Sequence, residues 1–299
     1  MKISAVVTSR NEGPQLRSTI DQLLDTLPAG SEIVVVDDGS TDGSADALGG
    51  SNGEVRLLRT ENLGVARARN HGAAESAGEV LIFLDAHLEL GPRWWEPLLE
   101  AVGRPGAGAA ATAVSVMGQP NNKGFGLRLA RTDLAVEWLG PQGGSPFRAP
   151  ILPGCCLAMP RQVFEATGGF DAGLRRWGES DNELSLRLWL LGYELWVAPQ
   201  VEVAHLFRRQ RPYPMDWASV VHNKLRLAFV HFDAARIAAV VEALRSYPDF
   251  PAAVAMMAGS DVQARRGEML ARRVHDDAWY FEKFGALAPV GKAAEAAAG

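Results

Sequence analysis

Four short apolar runs, each followed by a segment with helical spacing, restrict the fold of this chain more than any composition value does. "ISAVVTS" (3–9) precedes Leu16, Ile20, Leu23, Leu24 and Leu27, and "EIVVVDD" (32–38) precedes "STDGSADAL" (40–48), which is expected to open a helix. "VRLLR" (55–59) precedes "GVARARNHGAAESA" (64–77), and "EVLIFLD" (79–85) precedes "PRWWEPLLEAV" (92–102). None of the runs alternates with polar residues, so both faces of each strand are covered. Buried strands separated by helices make a mostly parallel sheet with helices on both sides. The expected class is therefore α/β, doubly wound.

The polar residues fall at the ends of these runs. The first ends in Ser9-Arg10-Asn11-Glu12, the second in Asp37-Asp38-Gly39-Ser40-Thr41-Asp42, and the fourth in Asp85-Ala86-His87. In a parallel sheet these are carboxyl ends on one edge, where open α/β sheets bind ligands. "DDGSTD" also reads as a turn with an N-capping Ser or Thr. Three acidic strand ends on one edge, however, repel one another unless something cationic lies among them. The turn "SRNEGPQ" after the first strand has a single glycine, and no Walker lysine loop is present, so no glycine-rich loop cradles phosphate. Phosphate at this edge then calls for a metal and for cationic side chains from elsewhere. Asp85 and His87, two apart in an extended segment, reach one ion, and His205 in "VEVAHLFRRQRPY" (201–213) is the candidate third ligand. Carboxylate and imidazole with phosphate oxygens suit Mn²⁺, or Mg²⁺ as the harder alternative.

Composition removes other classes. The 299 residues, 47% hydrophobic and 22% charged, describe an ordinary globular chain able to bury a large core. A net charge of −5 offers no general field for nucleic acid. The two cysteines, Cys155 and Cys156, are adjacent and make no disulfide framework. "MKISAVVTSRNEG" lacks a long apolar signal core, and no run approaches membrane-spanning length, so a cytoplasmic setting is expected.

"VVVDDGSTD", "NLGVARARNHGAAESAGEVLIFLDAH" and "WGESDNELSLRLWLLGYELW" resemble nucleotide-sugar glycosyltransferases of the family 2 type, with the GT-A fold. "FLDAHLELGPRWWEPLL", the W-G-x-x-x-x-E-L-S-x-R-x-W pattern at 177–189, "HLFRRQRPYP" and "HNKLRLAFV" are similar, in the same order, to the polypeptide N-acetylgalactosaminyltransferase branch. The resemblance covers residues 1–235. It implies that Asp85, His87 and His205 hold Mn²⁺ on the diphosphate of a UDP-sugar. Asn11, Glu12 and Asp38 would face uracil or ribose, Thr8 would join that donor-binding set, and Arg67 or Arg69 would meet the nucleotide. Arg208 and Tyr213 would sit on a loop over the diphosphate, and Trp177, Glu179 and Asp181 on the reacting side. Inverting family 2 enzymes carry Glu-Asp here and use the Asp as base; this chain has Ser180 before Asp181, and Glu179-Ser180-Asp181 where the branch has Gly-Glu-Asn.

Spacing alone leaves Asp181 open between a catalytic role and a helix-dipole role. Ser180 and Glu183 read as a capping box. His71 and His222 are not expected to bind metal. Trp94 and Trp95 are expected to anchor a helix on the sheet, and the cysteines to pack. The Gly/Pro-rich stretch 115–150 reads as an irregular loop shaping the acceptor side. The expected division is a GT-A domain over 1–214, with a nucleotide half (1–114) and an acceptor half (115–214), and a helical extension over 215–299 with a frayed tail, "GKAAEAAAG". Two other readings compete with transfer to an acceptor hydroxyl on a peptide, glycan or small molecule. A sugar nucleotidyltransferase needs a lysine-rich activating loop that is missing, and a non-catalytic nucleotide-sugar binding protein has no need of three intact ligands.

Overall fold

Alternate residues of the central strands enter two different cores, which is why the apolar runs are continuous. Ile3, Ala5 and Val7 join Val80, Ile82 and Leu84 on one face, while Val6 joins Leu81 and Phe83 on the other. The structure, a computed structural model, describes residues 2–48 and 55–290. The elements begin with β1 (Ile3–Ser9), α1 (Pro14–Thr26), β2 (Glu32–Asp38), β3 (Val55–Thr60), α2 (Val65–Ala74), β4 (Val80–Asp85), β5 (Leu88–Leu90) and α3 (Glu96–Val102). Next come β6 (Ala107–Val116), β7 (Gln119–Gly124), β8 (Leu127–Leu129), β9 (Val136–Trp138), β10 (Phe147–Arg148), β11 (Cys156–Pro160), α4 (Arg161–Thr167), α5 (Ser180–Leu190) and β12 (Glu194–His205). The helices α6 (Trp217–His231), α7 (Ala234–Leu244), α8 (Phe250–Ala258), α9 (Val262–Arg272) and α10 (Asp277–Phe284) follow.

The main sheet has the order β10-β12-β6-β11-β4-β1-β2-β3, with β5 added to β12 and β7 to β6. β1 pairs in parallel with β2 and β4, and β2 with β3. β11 is antiparallel to both β4 and β6, which restores β6 to the direction of β4; β12 is parallel to β6. The carboxyl end of β12 therefore reaches the same edge as that of β4. Register aligns the ends closely: Thr8 faces Asp85, and Ser9 faces Asp37.

Two expectations are corrected. Residues 40–48 form no α-helix; after the turn there is a short 3₁₀ segment, Asp46–Leu48, and residues 49–54 lie outside those described. Asp42 takes the backbone and hydroxyl of Ser44 and also the backbone N–H of Gly13, a local arrangement that competes with helix formation. The stretch 115–150 contains the end of β6 and the strands β7–β10. Gly124 meets a crossing aromatic there: a Cβ would lie 2.0 Å from the Trp138 ring. Trp94 and Trp95 donate their indole N–H groups to Thr26, at 3.0 and 2.9 Å, and so tie the segment before α3 to the end of α1.

The face opposite α1 and α3 is covered by α2, α4 and α5, and the same apolar cluster continues into α6–α10 through Leu225, Leu227, Val240, Tyr280 and Phe281. Residues after 214 thus share one core with the sheet, and the "GKAAEAAAG" tail (291–299) lies outside the described residues.

Candidate metal centre and its surroundings

β5 builds the centre. The chain leaves β4 at Asp85, buries Ala86, and re-enters the sheet antiparallel to the last residues of β12, with His205 opposite Leu88. Side chains of α1 hold that turn: Leu88 N donates to Thr19 Oγ1 (3.0 Å) and Leu90 N to Gln22 Oε1 (2.7 Å). His87 and His205, far apart in sequence, become neighbours. Their Nε2 atoms are 3.2 Å apart, and His205 Nε2 is 3.3 Å from Asp85 Oδ2. One ligand atom from each of the three residues lies within 4.8 Å of the others.

These separations fit a divalent ion. Bonds of about 2.1–2.2 Å at right angles put neighbouring donors about 3.0–3.1 Å apart. Burial pushes the Asp85 carboxyl up, but the hydrogen bond from His205 and the charge of Arg69 outweigh it and hold the group well below the usual carboxylate range. Asp85 is thus presented as an anion. Arg69 clamps it from behind: Nη2 donates to Asp85 Oδ1 (3.1 Å) and to the Gly154 carbonyl (2.7 Å). Its Nε and Nη1 are buried without a hydrogen-bond partner.

Asp181, expected on the reacting side, meets Arg69 across Gly154. Asp181 Oδ2 accepts from Gly154 N (3.1 Å), and Asp181 Oδ1 from Ser180 Oγ (2.8 Å). A Cβ on Gly154 would stand 2.8 Å from Asp181 Cγ and 2.9 Å from Arg69 Nη1, so a larger residue separates the two. Cys155, next in line, is buried, and its thiol is pushed up chiefly by that burial. Gly154 carried no signal in the sequence, whereas a glycine squeezed between two charged groups is legible at once in space.

Two families of sequence models match the chain: "Glycosyl transferase family 2" over residues 4–168, and "N-terminal domain of galactosyltransferase" over residues 141–210. This chain belongs to glycosyl transferase family 2. Polypeptide N-acetylgalactosaminyltransferase 11 of Xenopus tropicalis is 34% identical over 255 residues, covering 77% of this chain and 42% of that protein. Polypeptide N-acetylgalactosaminyltransferase 15 of Homo sapiens is 31% identical over 236 residues, covering 71% and 37% respectively. The chain thus spans less than half the length of these relatives. In fold it is similar to GalNAc-T7, crystallised with UDP, GalNAc and Mn²⁺, at a TM-score of 0.77 and 24% identity over 95% of this chain and 56% of that one. The sheet and its helices are those of a GT-A glycosyltransferase.

Around this candidate centre the remaining candidates separate. Thr8 sits beside Asp85 in the register of β1 and β4. Asn11, at φ 54°, accepts from Thr41 N (2.7 Å) and joins the first two strand ends. Asp38 accepts from Leu63 N (2.6 Å) and Gly64 N (2.8 Å), which pins the entry to α2. Gly64, at φ 89°, must be glycine, since a Cβ would lie 2.7 Å from the Arg176 backbone. Glu12 is turned to His87 and Arg208, at 3.0 and 2.6 Å. Arg67 lies apart, donating to the Ala172 carbonyl on the wall of a separate cleft of about 460 Å³.

Tyr213 lies under Arg10, with the guanidinium carbon 5.2 Å from the ring centre, and Arg211 lies over the Trp177 ring at 3.7 Å. Asn223, missed in the sequence, holds the loop of Trp177 through the carbonyls of Arg175, Trp177 and Gly178.

The capping box is a correction. Glu179 is the N-cap of α5, in the left-handed region at φ 63° and without a side-chain cap bond. Its side chain accepts from Asn182 (2.6 Å), and burial raises its carboxyl above the ordinary value. Ser180 is already helical, and Glu183 points inward to Arg187 and His231. His71 and His222 stay outside the centre; His222 is buried beside Asn223.

Proposed function

We propose that this chain is a metal-dependent glycosyltransferase that moves a sugar from a UDP-sugar to an acceptor hydroxyl on a peptide, glycan or small molecule. The observation that carries the reading is the convergence of Asp85, His87 and His205 at the carboxyl edge of the sheet. Similarity to the N-acetylgalactosaminyltransferases supports a hexosyl or N-acetylhexosaminyl donor. Asp85, His87 and His205 would hold Mn²⁺, or Mg²⁺, which when bound offsets the charge that develops on the leaving diphosphate. Arg69 keeps Asp85 aimed and ionised. Arg208 supplies a second positive charge from the segment after β12, and Asp181, in the first turn of α5, faces the reacting side and accepts from Gly154 N. Two buried, unpaired thiols support a reducing, cytoplasmic setting for this activity.

Incubation with UDP-sugars, Mn²⁺ and an acceptor mixture tests the reading. Release of UDP with a glycosylated product supports transfer. Pyrophosphate release would point to nucleotidyl chemistry, and tight binding without turnover to a non-catalytic binding protein. Asp181→Asn separates the two roles of that residue. If Asp181 takes the acceptor proton, turnover falls by about 10²–10⁴-fold with UDP binding intact. If it serves the helix terminus alone, the loss is about 0.3–1 kcal/mol of stability with turnover preserved. Anomeric analysis of the product should accompany the rate, because a leaving phosphate that accepts the proton itself makes the base dispensable.

A further inference from the structure

One carboxylate oxygen touches both the metal centre and the segment that follows it. Glu12 Oε2 is 3.0 Å from His87 Nδ1 and 2.6 Å from Arg208 Nη1. The residue is 8% exposed, in the turn between β1 and α1, where Asn11 at φ 54° and Gly13 at φ 57° bracket it. Building on the metal-dependent reading above, we infer that Glu12 is a positioning residue. It presets His87 as a metal ligand, and the same oxygen accepts from Arg208.

A histidine ligates through a neutral ring nitrogen, and its other nitrogen must then carry the proton and donate it. Glu12 provides the acceptor at Nδ1. The proton is thereby kept at Nδ1, and the Nε2 lone pair is left facing His205 and Asp85. His205 has no such support: its Nδ1 is buried and without a hydrogen-bond partner. Presetting of the imidazole pair therefore depends on Glu12 and His87. The bond to Arg208 gives the arrangement a second consequence. A guanidinium 2.6 Å from the same oxygen fixes the direction of the carboxylate toward His87.

The test measures Mn²⁺ binding to the nucleotide-free full chain by calorimetry, with uridine binding as a second readout. Glu12→Ala is expected to weaken Mn²⁺ binding by about 10–100-fold. Glu12→Gln, which keeps an acceptor oxygen, should recover part of that loss. Uridine affinity should stay unchanged in both Glu12 variants. Imidazole nitrogen NMR of the metal-free protein should show His87 protonated at Nδ1, and a mixture of tautomers in Glu12→Ala. Should Glu12→Ala fail to fold, the Gln variant and the NMR spectrum of the wild type still decide. Unaltered Mn²⁺ affinity in the Glu12 variants, or lost uridine binding, overturns the assignment and returns Glu12 to the nucleotide. A wild-type chain that binds no Mn²⁺ overturns the metal-dependent reading itself, which is a different result.

Discussion

His87→Ala should reduce metal-dependent sugar transfer by at least about 10³-fold, because the ion loses a ligand at the point where leaving-group charge develops. The imidazole sits between Glu12 and His205, so its removal leaves Asp85 and His205 as an incomplete pair. A chelator should silence the wild-type enzyme, and added Mn²⁺ should restore it. The same additions should change little in the variant. The measurement is UDP release and Mn²⁺ binding on one preparation, with circular dichroism to show that the fold persists. Transfer at the wild-type rate in the presence of chelator would refute the metal assignment.

The second large effect is expected on stability, far from any substrate. Glu183, Arg187 and His231 form a fully buried cluster: Glu183 accepts from Arg187 Nε (2.8 Å) and Nη2 (3.0 Å), and His231 Nε2 lies 3.0 Å from Glu183 Oε1. Arg187 also donates to the carbonyls of Thr167 (2.7 Å) and Gly169 (2.6 Å), joining α5, α6 and the end of α4. Glu183→Gln leaves a guanidinium without its counter-charge, and breaking a buried pair from one side costs about 3–5 kcal/mol. That is a large part of the about 5–15 kcal/mol that holds an ordinary domain together. Urea unfolding should show it as a lower midpoint; a shift below about 1 kcal/mol would mean that the charge is compensated elsewhere.

The pH dependence follows in sign. Burial raises the Glu183 carboxyl, but attraction to Arg187 and bonds from His231 and Arg187 outweigh it, so the folded group titrates well below its ordinary value of 4.5. Its contribution is complete above the unfolded value and is lost as pH falls from there toward the folded one. The wild-type protein should therefore weaken on acidification below 4.5, and Glu183→Gln should lose this part of the slope.

Arg67 and Arg69 show where sequence reading stopped. Two positions apart on a helix point about 200° away from each other, so one of the two faces the sheet edge, and spacing does not say which. Packing of α2 against β1 and β2 decides it: Gly72 lies so close to Val6 that a Cβ would be 2.4 Å from its side chain, and that contact turns Arg69 toward Asp85. Glu183 makes the same point in reverse. S-x-x-E is a local pattern that favours a cap, but Arg187 one turn later and His231 from another helix turn the carboxylate inward.

The sequence by itself determined the α/β class, the parallel direction of the first strands and the polar residues at their carboxyl ends. Those features are local: burial of both strand faces writes a continuous apolar run, and the chain becomes polar where the sheet stops. Tertiary structure decided what the polar residues do. His205 reaches His87 because β12 returns parallel to β6 while β5 pairs with its last residues, a register recorded in no short segment. Glu12 meets His87 and Arg208 for the same reason, since the three lie on different strand ends brought to one edge. Hydrogen bonds and ion pairs act over a few ångströms, so their partners are chosen by the topology that closes the sheet and not by distance along the chain.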